Sequence, residues 1–375
     1  MRVLVNALSA RKGGILTYTR NLLGAFRERG IDITIAAPDE FSTDAMSRVE
    51  RININQFSPL HRFVWEQFLW RRIVLRHSPD VLFSSANFGL LNCPVKQVLL
   101  LREGGLFDPY YLANMAPSQG LENAVTRYFR RKIMLMSARA ADHIITPTEA
   151  MRNMVSLWNP EIASKSSVNP YGTINDTFRP SSQPRKWREN GVLKLLYVSV
   201  YYPHKVPGLI CQALNQLNSM GVKAMATITM SLDELESIKG GGLDKTIINE
   251  AHRRKLVTLG RYHYRDLPAL YRGHDVFVFP SVSETFGHPM AEAMSSGLPV
   301  VAADTPVNRE ICGQKSAYFK PFMVSELVDQ LLRLDGDSNT RELMAKFGRA
   351  RAIDLYNWDS HVDRLVDTFT TVAAS

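Results

Sequence analysis

The chain is predicted to be an α/β protein built from two doubly wound, Rossmann-like domains, and three observations carry that expectation. Its 375 residues exceed the roughly 250 to 300 at which a single hydrophobic core stops growing. Short apolar runs, too continuous for half-exposed strands, alternate with helix-sized segments in both halves, the pattern of parallel strands covered on both faces. Glycine-bearing loops follow some of these runs and open into helical periodicity, as at Gly13, Gly14 and Gly287.

In chain order, residues 1–6 read as a buried strand, and Gly13 and Gly14 lie in the short basic loop after it. From Thr17 a helical pattern runs through Tyr18, Leu22, Leu23 and Phe26 to Gly30. A glycine lets the backbone approach a phosphate closely, and a helix start adds its dipole, although a Gly-Gly turn without a ligand has the same sequence. No Gly-x-Gly-x-x-Gly is present, which disfavours a nicotinamide dehydrogenase. Further strand-like runs fall at 32–36, 80–84, 97–101 and 143–146, and Thr148 suits a helix N-cap. His143 opens the last of these strands and reads as structural.

Two segments between the strands mix aromatics with cations: 61–77, holding Arg62, Arg71, Arg72 and Arg76, and 125–143, holding Arg127, Arg130, Arg131, Lys132 and Arg139. Each fits a sheet-flanking helix with Trp, Phe and Leu turned inward, or a basic amphipathic helix lying on an anionic membrane surface. Trp65 and Trp70 are five residues apart, off a single helical stripe, so an aromatic is expected on the rim of that helix.

The polar run 181–190 has neither period and marks the hinge between a first domain, 1–180, and a second, 190–355. Strands are expected at 192–199, 223–230, 255–260, 276–279 and 300–303, and a helix at 322–333. The stretch 276–304 is the most informative. It reads as strand, turn-rich loop, and a helix that starts at Pro289 with its free N–H groups facing the loop. Glu284 in the loop and Glu292 one turn into the helix have seven residues between them. N–H groups take phosphate and carboxylates take sugar or ribose hydroxyls, so the stretch suits a ligand carrying both. Taken singly, Glu284 reads as a solvated loop acid and Glu292 as a residue favoured near the positive end of the dipole.

Composition is that of a soluble globular protein, 45% hydrophobic and 22% charged. No apolar run approaches the roughly 20 residues needed to span a bilayer, and the first residues form a strand rather than a signal peptide, so a cytoplasmic location is expected. Cys93, Cys211 and Cys312 have no metal-ligand spacing and fit reduced structural thiols. The Asp335-Gly336-Asp337 triplet follows a helix rather than a hydrophobic strand, and no metal role is assigned to it. Residues 1–180 carry 22 Lys/Arg and 15 Asp/Glu, a net of +7, against 23 and 21, a net of +2, in 181–375, which together make the +9 of the chain. A basic half could meet nucleic acid, anionic lipid or acidic saccharide.

The Glu-x7-Glu pair with Ala293-Met294 and Gly297-Leu298-Pro299-Val300-Val301 resembles the signature of retaining glycosyltransferases of the GT-B fold, family 4. Other segments fit that resemblance. The Gly13–Gly14 loop is similar to the one set against the donor diphosphate, and VNPYGTIND to the Pro-Asn-Gly-Val-Asp junction. VYYPHKVPG resembles the segment ending in Pro-x-Lys-Gly, and GRYHYRDLPALYRGHD the approach to the signature loop.

The resemblance implies two domains facing across a cleft, with the acceptor on the first, the donor on the second, and a last helix (356–375) returning to the first. It implies a nucleotide-diphosphate sugar donor, a saccharide or lipid-linked acceptor, and neither metal nor other cofactor. Lys205, Gly13, Gly14 and the helix start at residues 287–290 would share the diphosphate. Glu292 would hold ribose hydroxyls, and Glu284 would orient the sugar with help from Phe286 and Gly287. Ser199 stands near the family's diphosphate Arg, Tyr262 near the base, and His288 at the helix start. After the strand at 97–101 the family's His is missing; Arg102 and Glu103 stand there instead, as candidates for contact with donor or acceptor.

The neighbouring alternative is a sugar phosphorylase or epimerase on the same fold. A basic nucleic-acid-binding protein is the more remote one, because no binding motif is present and the cations are interleaved with core positions.

Overall fold

The computed structural model describes residues 1–10, 14–39, 41, 48–53, 57, 59–182, 185–238 and 240–375. The chain divides into two compact units. One comprises Met1–Phe107, Glu122–Pro170 and Asp359–Ser375; the other comprises Asp108–Leu121 and Tyr171–Trp358.

The first unit is organised on a parallel sheet of β1 (Arg2–Asn6), β2 (Asp32–Ala37), β3 (Arg48–Arg51), β4 (Val81–Ser84), β5 (Lys96–Leu100), β6 (His143–Thr146) and β7 (Ser166–Val168). Its strand order is β3-β2-β1-β4-β5-β6-β7. The central strands are the apolar runs, buried on both faces. The edge strands β3 and β7 are half-exposed and lack such a run, which is why no strand is expected there from sequence.

The first helix spans Gly14–Glu28, beginning three residues before the expected Thr17. Tyr18, Leu22 and Phe26, four apart, face the core. The C-terminal helix, Trp358–Ala374, packs into this unit through all but its first residue. His361 on it is buried, with Nε2 3.0 Å from the Tyr18 hydroxyl and Nδ1 2.8 Å from the Pro170 carbonyl. Phe369 lies 5.1 Å from Phe83 and 5.9 Å from Phe26.

Right-handed crossovers settle which face each helix takes. The step from β1 to β2 runs one way along the sheet; those from β3 to β4 and from β5 to β6 run the other way. The two basic aromatic segments, in the latter two crossovers, therefore share the face opposite Gly14–Glu28. A loop, residues 85–95, joins β4 to β5 without a helix, so the two lie on either side of it. Both bond the same carbonyl: Gln67 Nε2 and Ser137 Oγ are each 3.4 Å from the Gly89 oxygen.

Their faces differ from the inward-aromatic expectation. The segment 61–77 is α-helical over Pro59–Trp65 and Arg71–His77 and π-helical over Glu66–Trp70. The wider turn brings residues five apart onto one side. Trp70 is therefore buried and Trp65 half-buried against the same cluster, and the rim aromatic is Phe68, 69% exposed. The other segment belongs to the helix Gly120–Ala140, whose first ten residues are nearly all exposed.

The second unit carries a parallel sheet of β8 (Leu193–Tyr197), β9 (Ala224–Ile228), β10 (Val257–Leu259), β11 (Val276–Phe279), β12 (Val300–Ala303) and β13 (Ala317–Phe319), ordered β10-β9-β8-β11-β12-β13. Asp335, one half of the Asp-x-Asp triplet, pairs with Arg188 at 2.7 Å, and Asp337 caps the helix Ser338–Leu355. Cys211 and Cys312 are buried and Cys93 half-buried, all as free thiols. Among the described residues no helix is long and apolar enough to cross a membrane.

Replacing Phe369 by Ala leaves a cavity between two other rings. The expected loss is about 3 to 5 kcal/mol, read as a lower urea midpoint of the intact chain.

Candidate active site

From β8 the second unit's chain moves outward to β9 and β10, then returns to β11 on the other side of β8 and continues to β12 and β13. The loops leaving β8 and β11 thus diverge at the C-terminal edge of the sheet, the crevice where open parallel sheets take ligands. Lys205 lies on the first loop and Glu284 on the second.

Those loops are tied together. Pro203–Lys205 forms one 3₁₀ turn, with the Lys205 N–H donating to the Tyr202 carbonyl at 2.9 Å. The His204 carbonyl accepts from the Val282 N–H at 3.0 Å and the Ser281 hydroxyl at 3.4 Å. Across this seam Lys205 Nζ donates to Glu284 Oε1, with side chains only 14% and 9% exposed. So sheltered a pair is weakly screened, and loss of one member strands the other's charge. Lys205 Nζ also stands 5.5 Å from the centre of the Phe279 ring. Burial, then the Lys205 charge, pushes the His204 imidazole down to about 4, so it is neutral at physiological pH. The Tyr111 ring meets it edge-on at 5.9 Å.

The helix after Glu284 spans His288–Ser295, starting one residue before the expected Pro289. Gly287 caps it at φ +82°, and a Cβ there would come within 2.5 Å of Met290. Pro289 has no N–H, and the Met290 N–H returns to the Gly287 carbonyl at 2.9 Å, so neither adds a donor to the loop. Tyr171, absent from the sequence-derived site, stacks on His288 at 4.8 Å and meets Phe286 edge-on at 5.4 Å.

Glu292, expected to face a ribose, is 6% exposed and accepts the Tyr271 hydroxyl at 2.8 Å. Burial raises its carboxyl to about 7, against the opposing hydrogen bonds of Tyr271 and Tyr264. Phe178 lies edge-on to both phenol rings. The acid is held by aromatic side chains that no spacing rule picks out.

The other expected residues are spread over both units. Ser199, just past β8, donates its N–H to Thr229 Oγ1 at 3.2 Å. Tyr262 follows β10, its ring beside Gly260. Gly13 lies outside the described residues, and Gly14 begins the first unit's first helix. Arg102 and Glu103 follow β5 in that unit. The Arg102 N–H donates to Asn87 Oδ1 at 2.7 Å, and the Glu103 carboxylate is engaged by Arg130 at 2.5 Å.

A cavity of about 650 Å³, lined by Arg185, Lys194, Arg272, Asp275 and Arg349 among others, opens at the opposite, N-terminal edge of the second sheet. Several of its polar groups are internally engaged: Arg185 on backbone carbonyls, Arg349 on the Ser295 carbonyl, and Asp275 on the N–H groups of Arg188 and Lys194.

Val206, directly after Lys205, has φ +46°, a conformation costly for a β-branched residue. Val206→Asn, which tolerates it, is expected to stabilise the chain by about 1 kcal/mol in urea unfolding. Glu292 gives a pH test. An acid whose pKa rises on folding contributes stability that is complete below its unfolded value, 4.5, and is lost as pH rises through about 7. The wild type should therefore lose about 3 kcal/mol relative to Glu292→Gln between pH 4.5 and 8, seen as diverging urea midpoints.

The family model described as Glycosyltransferase Family 4 matches residues 12–172, and that described as Glycosyl transferases group 1 matches residues 181–351. The O-antigen chain mannosyltransferase RfbU of Salmonella typhimurium is 24% identical over 204 residues, 53% of this chain and 53% of its own. Curated relatives are matched over 19% to 53% of their own lengths, so the chain spans about half of them or less. Among solved structures, a sucrose-phosphate synthase from Thermosynechococcus elongatus superposes with a TM-score of 0.78 at 17% identity over 100% of both chains. Anabaena Alr3699/HepE in complex with UDP-glucose superposes at 0.74 and 16% identity, over 99% of this chain and 100% of its own. With both family models matched and the fold shared along its length, the chain belongs to glycosyltransferase family 4 and has the GT-B fold.

Proposed function

We propose that the protein is a retaining hexosyltransferase that moves a sugar from a nucleotide-diphosphate donor to a saccharide or lipid-linked acceptor, in the synthesis of a cell-surface polysaccharide or glycolipid on the cytoplasmic side. One observation carries most weight: a sheltered cation, Lys205, and a carboxylate, Glu284, sit on the two loops that diverge at the second sheet's switch point. That is where such folds take phosphorylated ligands. The UDP-glucose complex of HepE supports a nucleotide-sugar donor, and the name of RfbU supports a hexose.

In this reading Lys205 neutralises charge on the departing diphosphate, which requires it to turn from Glu284 toward phosphate oxygen. Glu284, released, accepts hydroxyls of the donor sugar. Glu292 exchanges the Tyr271 hydroxyl for those of the ribose. The acceptor hydroxyl attacks the anomeric carbon on the face the diphosphate leaves, the anomeric C–O bond to phosphate breaks, and the leaving phosphate oxygen takes the acceptor proton. By resemblance to the family no metal takes part.

Thermal-shift screening against UDP-, GDP-, ADP- and dTDP-sugars identifies the donor. With that donor, Lys205→Ala and Glu292→Ala are expected to lower transfer by at least about 100-fold, the scale of a lost transition-state donor, with the fold retained. Near-normal rates in either would remove the donor-site assignment. Turnover that needs inorganic phosphate and no nucleotide sugar would favour a phosphorylase.

A further inference from the structure

We infer that the two helices on the outer face of the first unit form one docking surface for an anionic lipid bilayer. Each buries one side against the unit and carries large apolar residues on its outer side as well, where a sheet-flanking helix in water is polar. On Gly120–Ala140, the buried Met134, Ser137 and Ala138 mark the inward side. At about 100° per residue, Leu121, Val125, Phe129 and Met136 fall on the opposite side in one stripe, with Lys132 among them. Leu121 is 80% and Phe129 57% exposed in the intact chain. A comparable outer strip lies across the β4–β5 loop. There Glu66, Trp70 and Val74 face inward, and the outer strip is Val64, Phe68, Leu69 and Leu75 interleaved with Arg72 and Arg76. The Gly89 carbonyl is bonded by both segments, through Gln67 and Ser137.

Charge selects the occupant. The helix Gly120–Ala140 carries five Arg/Lys against one acid of its own, Glu122, although Arg130 pairs with Glu103 and Arg139 with Glu161; on the other segment the single acid, Glu66, is buried against Arg62, and Arg76 pairs with Glu50. A patch for a second copy of this chain would set like charges against each other. Nucleic acid would leave Phe68, Leu121 and Phe129 in water. A lipid surface satisfies both components, with apolar side chains at the acyl boundary and cations among anionic headgroups. No described helix is long and apolar enough to cross a bilayer, so the contact is one that lies on the surface.

Flotation of the full chain with phosphatidylglycerol/phosphatidylcholine vesicles, compared with phosphatidylcholine alone at low and high salt, tests the inference without any sugar donor, so it stands or falls apart from the transferase reading. The chain should float with the anionic vesicles at low salt only. The exposed pairs Phe68→Ser/Leu69→Ser and Leu121→Ser/Phe129→Ser should each cut the bound fraction's partition coefficient at least tenfold while circular dichroism stays unchanged. Arg72→Glu with Lys132→Glu should cut it about fivefold per charge. No flotation, or partition that responds to the cations and not to the serines, would overturn it. So would a response confined to one helix, or a dimer on sizing that the serine pairs dissociate.

Discussion

Parallel strand pairing is the constraint on which the rest of this molecule depends. A parallel neighbour cannot be reached by a tight turn, so the chain crosses a face of the sheet between strands, and both faces become covered. Covered strands require continuous apolar runs, and the loops that follow them leave at one edge. Where strand order reverses, between β1 and β4 in one sheet and β8 and β11 in the other, two such loops part and open a crevice. Within the sheets themselves burial leaves no room for an unpartnered charge, so polar groups gather at the strand ends.

The second sheet's edge shows how a charged pair persists there. Lys205 and Glu284 are each too enclosed to be solvated fully, and each supplies the other's counter-charge. Their loops stay in register because a single carbonyl, that of His204, takes a backbone N–H from the facing loop. Glu292 is held differently, by phenol hydroxyls within an aromatic shell that raises its proton affinity. Two carboxylates eight positions apart thus differ in character, one met by a cation and one by neutral donors. One of the positive-φ residues, the β-branched Val206, stands beside the same loop, where the related motif has glycine.

The opposite construction appears on the first unit's outer face. Its helices bury Glu66 and Ser137 along with Trp70, Val74 and Met134, and turn Phe68, Leu121 and Phe129 outward. A π turn makes this possible on one of them, by rotating the residues after Glu66 so that Trp65 and Trp70 both turn inward and Phe68 is left outside.

Sequence by itself determined the architecture and the loops that matter. Buried parallel strands write themselves as apolar runs, and the Glu-x7-Glu stretch with its glycines and prolines marks strand, loop and helix locally. It placed Lys205, Glu284 and Glu292 on the loops and the helix start at that edge. Only the tertiary structure decided what those residues touch. The pairing of Lys205 with Glu284, 79 positions apart, the Tyr271 hydroxyl on Glu292 and the Tyr171 ring on His288 are contacts between distant segments, and no periodicity encodes them. The edge strands β3 and β7 and the outward turn of Phe68 and Leu121 escaped for the same reason. Which side of an element is covered depends on its neighbours in space, and a one-dimensional pattern records only the side that is apolar.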